Sequence, residues 1–240
     1  MKKIPPIILI SALAALFFSP QLLERFLNGL FPSLTEVVYP RATLLQMAGE
    51  HLLLVGVSSV IAIGTGLFGG IFVTRKWGLE FLPAVQDLSS LMQTFPPIAV
   101  LALTVPLVGF GFKPAVIALV LYSILPVLNN VIAGMKSVSS DILEAAQGMG
   151  MSPRQVLWRV EMPIAAPVVF AGIRTSVIIN IGTATLGSIV GAGGLGAPIV
   201  SGLVRNNNAF VFQGAFATAV LALTLDRLFA FVEKRLNREV

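Results

Sequence analysis

Charged residues are scarce along this chain. Only 11% of its 240 residues are Asp, Glu, Lys or Arg, whereas 56% are hydrophobic and the mean hydropathy is +0.91. An average soluble domain has roughly 45–50% apolar residues, so a soluble domain of this length would lack the polar side chains that cover a surface. A lipid bilayer requires instead that backbone groups be satisfied internally. The composition therefore predicts an all-α protein, a polytopic membrane helical bundle.

Residues that often carry catalysis are absent or rare. The chain has no cysteine and one histidine, His51, which excludes disulfides, thiolate metal sites and cysteine nucleophiles. It has no His-Glu-x-x-His or Gly-x-Ser-x-Gly motif, and the glycines of 191–196 are not followed by the Gly-Lys-Ser/Thr of an ATPase phosphate loop. We therefore expect no enzymatic activity, metal or cofactor in this chain, and an interfacial position for His51.

Long stretches without charge predict the membrane spans. A hydrocarbon core about 30 Å thick needs roughly 20 mostly apolar residues in a helix. No charged residue lies between Asp87 and Lys113, between Lys113 and Lys136, or between Arg174 and Arg205. About six spans are predicted, at Ile4–Ser19, Leu52–Thr74, Leu88–Leu107, Pro114–Met135, Ala165–Val190 and Ala209–Leu228.

The distribution of basic residues predicts the orientation. With the amino terminus in the cytoplasm, eleven Lys and Arg lie inside and four outside, which agrees with the positive-inside rule. The inside set is Lys2, Lys3, Arg75, Lys76, Lys136, Arg154, Arg159, Arg227, Lys234, Arg235 and Arg238, and the outside set is Arg25, Arg41, Lys113 and Arg205. We expect a multi-pass protein of the bacterial inner membrane with both termini cytoplasmic. Topology thus explains the net charge of +5 better than nucleic-acid binding does.

The first predicted span has an alternative. Lys2 and Lys3 before a short apolar run are also typical of a cleaved signal peptide. No small-x-small cleavage site follows Phe18, which favours an uncleaved anchor. We expect residues 1–50 to form an N-terminal anchor and external loop, and residues 51–240 to form the main transmembrane domain.

The longest segment between two spans on the cytoplasmic side, residues 137–164, contains DILEAAQGMGMSPRQVLWRVEMP and is predicted to form two short helices. Asp141 is expected to cap the first, with Glu144 completing the capping box. Gly150 suits the left-handed residue that ends this helix.

The second short helix has its own capping signals. Ser152 is expected to cap it, Pro153 to occupy its first position and Gln155 to complete another capping box. Pro163 is expected to end it. The result is a compact helix-turn-helix at the membrane face.

This segment suits docking to a soluble partner. Ala145 and Ala146 permit close backbone approach, while Met149, Met151 and Trp158 provide adaptable apolar area. On these features alone, an ordinary cytoplasmic loop is an equal alternative.

The spacing of Glu144-Ala145-Ala146, Gly150 and Val160-Glu161-Met162-Pro163 resembles the EAA loop of ABC importer permeases. Two apolar positions differ, with Val160 and Met162 where the pattern has Ile and Leu. The resemblance implies a MetI-like ABC permease fold and a coupling helix seated in a cleft of an ATP-hydrolysing subunit. The implied coupling residues are Glu144, Ala145, Ala146, Gly150 and Pro163.

Softer motifs resemble osmoprotectant permeases. They are Gln93-Thr94-Phe95-Pro96-Pro97, Gly172-Ile173-Arg174-Thr175, Ile181-Gly182-Thr183-Ala184-Thr185 and Gly191-Ala192-Gly193-Gly194-Leu195-Gly196. The resemblance implies transport of glycine betaine, choline or carnitine with an ATP-binding subunit, a second permease chain (a copy or a paralogue) and an extracytoplasmic binding protein. A permease for another small, amino acid-like solute and an ion-coupled secondary transporter are the alternatives. The latter commonly has a mid-span acid and internal repeats, and we find neither.

Small residues in the second span predict helix packing. Gly56, Ser59, Gly66 and Gly70 follow three- and four-residue steps, and membrane helices use such residues where their backbones approach closely. Packing is a better interpretation here than lining a pore.

Polar residues inside the spans are candidates for a translocation pathway. Ser176, Asn180, Thr183 and Gly187 share one helical face, and polar side chains in a membrane point into the bundle or a cavity. Hydrogen bonding between helices is the alternative.

Four further polar residues lie beside prolines that kink helices. Gln93 and Thr94 precede Pro96-Pro97, and Asn129 and Asn130 follow Pro126. These side chains either line the pathway or satisfy the carbonyl groups that the prolines leave free.

Arg174 is a charge well inside a predicted span, Ala165–Val190. It either extends to the lipid headgroups or forms a structural pair, or it provides a fixed charge near the inner gate. Trp77 and Trp158 both fall on the cytoplasmic side, where they form no outward-facing aromatic cage for a quaternary ammonium group. High-affinity selection is therefore expected in the separate binding protein.

Overall fold

The structure, a computed structural model, describes the backbone of residues 6–239 and the side chains in that range except at 6, 7, 13, 16–18, 93 and 234–239. Within these bounds the regular elements are helical, which confirms the all-α prediction. The α-helices are α1 Pro6–Phe18, α2 Pro20–Leu30, α3 Leu44–Val73, α4 Leu82–Thr94, α5 Pro97–Val108, α6 Phe112–Lys136, α7 Ser140–Gly148, α8 Pro153–Val156, α9 Met162–Thr183, α10 Gly196–Arg205 and α11 Asn208–Glu239.

Four helical stretches among the described residues are long and apolar enough to cross a membrane. They are Leu44–Val73, Phe112–Lys136, Pro153–Val190 and Asn208–Glu233. A fifth exists if α4 and α5 form one broken span. The break follows from Pro96 and Pro97, because a proline disfavours helical backbone in the residue before it, and both Phe95 and Pro96 are extended.

Five of the six predicted spans are matched among the described residues if α4 and α5 count as one broken span. The predicted first span, Ile4–Ser19, lies partly outside the described residues. The part that is described belongs to α1, Pro6–Phe18.

The helix α3 begins at Leu44 rather than at Leu52, where the sequence predicts the second span. The hydroxyl of Thr43 accepts the backbone N–H of Gln46 at 3.2 Å. Glu50 lies inside the helix because its carboxylate accepts hydrogen bonds from Gly194 N–H at 2.9 Å and from Gln46 Nε2 at 3.1 Å. Counting stretches without charge misses such a helix start.

The chain divides into two compact units. The first comprises the chain up to Ser58, Pro96–Leu119 and Ile178–Arg227, and the second comprises Ser59–Phe95, Val120–Val177 and the chain from Leu228. The long helices α3, α6, α9 and α11 contribute to both.

In the second unit, two glycines of α3 allow close packing against α6. A Cβ on Gly66 would lie 2.8 Å from Val127 Cβ, and one on Gly70 would lie 2.6 Å from Val131 Cβ. Val127 and Val131 are fully buried. The predicted packing role is thus confirmed for Gly66 and Gly70, whereas a Cβ on Gly56 would meet nothing within 4 Å.

In the first unit, His51 is fully buried within the protein, and its interfacial position stays a prediction. Its Nε2 lies 3.0 Å from the carbonyl oxygen of Ile181, and this hydrogen bond offsets the cost of burying the ring. Gly194 packs against the imidazole, since a Cβ on this glycine would lie 3.1 Å from Nδ1.

Candidate coupling and translocation sites

The segment predicted to dock to a partner begins with α7, which Ser139 caps. The Ser139 hydroxyl accepts the backbone N–H of Ile142 at 3.4 Å. The prediction that Asp141 is the cap is wrong, because Ser139 takes the extended backbone conformation that a cap requires. Asp141 lies in the first turn, where its negative charge still complements the free N–H groups.

Gly150 ends this part of the segment in the predicted left-handed conformation, with φ of +78°. Its N–H donates to Gln147 O at 2.9 Å, and the N–H of Met151 donates to Ala146 O at 3.2 Å. Glycine suits this turn because it has no Cβ to oppose positive φ.

The second helix has the predicted capping box. Gln155 N–H donates to the Ser152 hydroxyl at 3.4 Å, and the Gln155 side chain accepts Ser152 N–H at 2.8 Å. Pro163, however, does not end this helix: α8 continues through a π turn, Leu157–Glu161, into α9. Met162 N–H bonds to the Leu157 carbonyl five residues back, and such a wide turn accommodates the missing N–H of the following proline.

The exposed face of the segment carries the features of a docking surface, which we define as Glu144, Ala145, Met149 and Trp158. All four are exposed, and the fractions are 75% for Met149 and 63% for Trp158. Ala146, within α7, is instead buried, and Pro163 is exposed at the start of α9. Large apolar side chains exposed in this way are typical of a contact with another protein or with the membrane.

An ion pair attaches the end of this segment to the residues that follow α3. Arg75 Nη1 lies 2.7 Å from Glu161 Oε2, and the two side chains are 23% and 9% exposed. Arg75 Nη2 also lies 3.6 Å from the sulfur of Met135. This pair is not among the sequence predictions, although Glu161 is recognisable as an acid at the edge of an apolar span.

A cavity of about 490 Å³ adjoins the ion pair. It separates residues 74–77 from the two helices of the docking segment, and its walls include Trp77, Leu143, Gln147, Met151 and Val156. Arg75 and Glu161 both line this cavity, and their ion pair is one direct contact between its walls.

The polar face predicted on α9 makes hydrogen bonds between helices. Asn180 is 1% exposed, and its Nδ2 donates to the Ser58 hydroxyl of α3 at 2.8 Å. The hydroxyl of Ser176, also buried, donates to the carbonyl of Ser123 in α6 at 2.7 Å. The Thr183 hydroxyl instead donates to Ile179 O within its own helix at 2.9 Å. A pathway role for Asn180 and Thr183 stays a prediction.

Side chains near the prolines satisfy nearby carbonyl groups. Asn130 Nδ2 donates to Pro126 O at 2.8 Å, and the Thr94 hydroxyl donates to Leu91 O at 2.7 Å. Asn129 is half-buried in α6. The side chain of Gln93 lies outside the described residues.

Arg174 forms a structural pair with α11. Its Nη1 lies 2.7 Å from Glu233 Oε2, and the two side chains are 29% and 26% exposed. The carboxylate supplies the charge that an arginine in a span needs.

A second cavity, of about 420 Å³, lies in the first unit beside the glycines of 191–196. Two basic residues, Arg41 and Arg205, line it together with Tyr39, Ser188 and Val200. Under the predicted topology this cavity opens to the outside. Glu50 fixes the neighbouring glycine loop through its hydrogen bond with Gly194.

Comparison with known proteins agrees with this arrangement. Residues 62–238 match the family described as binding-protein-dependent transport system inner membrane component. The osmoprotectant import permease protein OsmY of Salmonella typhimurium is 39% identical over 90% of this chain and 91% of its own length. The choline transport system permease protein OpuBB of Bacillus subtilis is 38% identical over 81% of this chain and 88% of its own length.

Solved structures agree on the fold. An inward-facing MetNI methionine ABC transporter chain matches with a TM-score of 0.68 and 23% identity, over 82% of this chain and 95% of that one. An amino acid ABC transporter chain matches with a TM-score of 0.66 and 21% identity, over 80% and 93%. The MetI-like fold implied by the EAA resemblance is thereby confirmed. This chain belongs to the family of binding-protein-dependent transport system inner membrane components, the multi-pass permease subunits of ABC importers.

Proposed function

We propose that this chain forms the pathway of an ABC importer for an osmoprotectant such as glycine betaine, choline or carnitine. Relatives at 36–39% identity carry the names of osmoprotectant, choline and carnitine permeases, which supports this substrate class. The observation that carries the proposal is the docking surface on a capped, rigid segment tied to α3 by Arg75 and Glu161.

The energy comes from a separate ATP-binding subunit. Its cleft receives the docking surface, in which Met149 and Trp158 contribute the largest apolar contact area. Two permease chains, copies or paralogues, form the pathway, and closure of the ATP-binding subunits draws their docking segments together. Residues 51–240 form the transport domain, residues 1–50 form the anchor and external loop, and both termini face the cytoplasm.

The ion pair transmits this movement. A segment joined only by flexible loops would move without displacing the spans. Because Glu161 immediately precedes α9 and Arg75 follows α3, a pull on the docking segment acts on the ends of two spans together. Glu144, Ala145, Ala146, Gly150 and Pro163 give the segment its shape.

Substrate arrives from an extracytoplasmic binding protein. The cavity lined by Arg41 and Arg205 offers positive charge on the outer face, partly balanced by Glu36 at 4.0 Å from Arg205, and acidic groups of that protein would complement it. Within the membrane, Asn180, Thr183, Asn129, Thr94 and Gln93 are the proposed polar contacts along the pathway. Arg174, already neutralised by Glu233, supports the helices rather than binding substrate.

The test is uptake by the whole assembly in proteoliposomes. Permease, ATP-binding subunit and binding protein are reconstituted with ATP at the side that the ATP-binding subunit occupies. Labelled glycine betaine, choline, carnitine and methionine are then compared. We expect uptake of at least one of the first three, dependent on both ATP hydrolysis and the binding protein.

Two controls separate the alternatives. A non-hydrolysable ATP analogue should abolish uptake, whereas an imposed sodium or proton gradient without ATP should produce none. Uptake driven by a gradient alone would identify an ion-coupled carrier. ATP-dependent uptake confined to methionine would support an ABC importer but would overturn the osmoprotectant assignment.

A further inference from the structure

An apolar groove in the second unit has no role in the mechanism proposed above. Its volume is about 460 Å³, and it lies between α3, α4 and α6, two of which are membrane-spanning candidates. Its walls include Phe72, Val85, Leu88, Ile124 and Leu128. Such a groove at membrane depth excludes water and suits a hydrocarbon chain.

Phe72 and Phe81 line the groove, and Trp77 contacts Phe72 from outside the groove lining. Phe72 packs edge to face against Trp77 at 5.1 Å and lies 6.1 Å from Phe81. Trp77 remains 69% exposed although it follows directly on a span, and Phe81 is 49% exposed. Tryptophan concentrates at the level of lipid headgroups, where one part of its ring is in hydrocarbon and its N–H is hydrated.

The charges beside these aromatic side chains are balanced. Arg75 is neutralised by Glu161. Lys76 and Glu80, both exposed, remain on either side of Trp77 in the sequence and carry opposite charges. A headgroup with a phosphate and an ammonium group matches this pair better than one with net negative charge, because Glu80 would repel the latter.

From these features we infer that the groove binds one phospholipid with a zwitterionic, ethanolamine-type headgroup. One acyl chain occupies the groove between α4 and α6, and the glycerol region packs on Trp77 and Phe81. The phosphate lies beside Lys76, and the ammonium group lies beside Glu80. The inference requires that the chain is embedded in a membrane and does not depend on the identity of the transported solute.

The first experiment counts retained lipid. The complete transporter is purified from membranes containing equal amounts of phosphatidylethanolamine and phosphatidylglycerol, and tightly bound lipids are identified by native mass spectrometry. We expect one phosphatidylethanolamine per permease chain. Trp77→Ala should lower its occupancy roughly tenfold, as expected when one large apolar contact is lost, and Val85→Phe, which fills the groove, should remove it.

Matched controls address nonspecific effects. Phe110→Ala removes another exposed aromatic side chain and Lys136→Gln removes another exposed lysine, and both should leave the lipid count unchanged. Glu80→Gln should shift the bound lipid toward phosphatidylglycerol. Equal retention of both lipids by the unaltered protein, or an unchanged count in Trp77→Ala, would overturn the inference.

A crosslinking experiment tests the competing occupant, a second permease chain, without relying on a variant that folds poorly. A benzophenone amino acid at position 85 is irradiated in the intact assembly. Adducts with the mass of a phospholipid support the inference. Crosslinked permease dimers without a lipid adduct would show that the groove is a protein interface and would overturn it. Uptake need not be measured in either experiment, so failure of the proposed function is detected separately.

Discussion

Arg75 and Glu161 connect the end of α3 to the docking segment through a contact of 2.7 Å between Nη1 and Oε2. Glu161 is nearly buried, whereas Arg75 keeps some access to solvent. An ion pair in such a position holds two elements in one arrangement, and removing one partner leaves the other charge poorly solvated. The pair therefore affects both stability and coupling.

We predict that Arg75→Gln and Glu161→Gln each destabilise the protein by about 3 kcal/mol, near the lower end of the range for breaking a buried pair. Each should also reduce ATP-driven uptake while leaving nucleotide binding by the partner subunit intact. Thermal unfolding in detergent and uptake in proteoliposomes measure the two effects. Arg154→Gln, which changes an exposed arginine in the same segment, is the control and should alter neither.

The exchange Arg75→Glu with Glu161→Arg tests whether the two residues act as a pair. A direct interaction predicts that the double variant is more stable than the sum of its single changes implies. Additive losses would mean that the two charges act independently and that coupling runs through other contacts.

Gly150 tests the turn between the two docking helices. Gly150→Ala places a Cβ on a residue with φ of +78°, at a cost of roughly 1–2 kcal/mol in backbone strain, while the space around that Cβ is open. We expect the turn to relax, the docking surface to shift and ATPase stimulation by the loaded binding protein to fall, with membrane insertion unchanged. Gly148→Ala is the control, since its backbone is helical and its Cβ would also meet nothing within 4 Å. Equal activity in the two variants would contradict the assignment.

Membrane embedding and the docking segment follow from sequence because each depends on local pattern. Apolar length predicts spans, and Ser152, Gln155 and Gly150 encode their turns directly. Local sequence pattern does not predict a helix boundary or turn that depends on hydrogen bonds with other residues. Glu50 can lie inside α3 because the N–H of Gly194 donates a hydrogen bond to its carboxylate. The π turn before Pro163 depends on the hydrogen bond from Met162 N–H to the Leu157 carbonyl five residues back.

In the candidate site, too, the sequence identifies individual residues but not the partners that they contact. Helical periodicity predicts the polar face that contains Asn180. The hydrogen-bond partner of Asn180, Ser58, lies far away in sequence. Arg174 is recognisable as a charge in a span, whereas Glu233 is one of several charges near the end of the chain. Pairing partners depend on tertiary packing, which a single sequence does not specify.

Packing between α3 and α6 gives a prediction with a matched control. Gly70→Ala would place Cβ 2.6 Å from Val131 Cβ, a rigid atom in a fully buried side chain. We expect a loss of about 1–3 kcal/mol, as for other overpacked sites. Gly64→Ala in the same helix meets nothing within 4 Å and should be neutral or slightly stabilising. Thermal unfolding of the two variants measures the difference, and equal midpoints would contradict the close approach.

Because Arg174 and Glu233 form a structural pair, we predict that replacing either residue leaves solute selectivity unchanged. Because Arg174 lies within a span, Glu233→Gln should destabilise the protein by removing the carboxylate that balances the arginine charge. A structural pair leaves the uptake ratio of choline, a cation, to glycine betaine, a zwitterion, at its original value in both variants. A rise in that ratio confined to Arg174→Gln would show instead that the arginine charge faces the solute.

The glycine loop beside His51 provides two variants with the same backbone strain. Gly191 and Gly194 both have φ of +80°, but a Cβ on Gly191 would meet nothing within 4 Å, whereas one on Gly194 would lie 3.1 Å from His51 Nδ1 and 3.3 Å from its Cα. The second contact involves backbone, which cannot move aside cheaply, so Gly194→Ala also disturbs the Glu50 hydrogen bond. We expect Gly194→Ala to lower the unfolding midpoint more than Gly191→Ala does, and amide exchange in residues 191–196 to increase in Gly194→Ala alone. Equal exchange in the two variants would show that positive φ, and not contact with α3, controls the order of this loop.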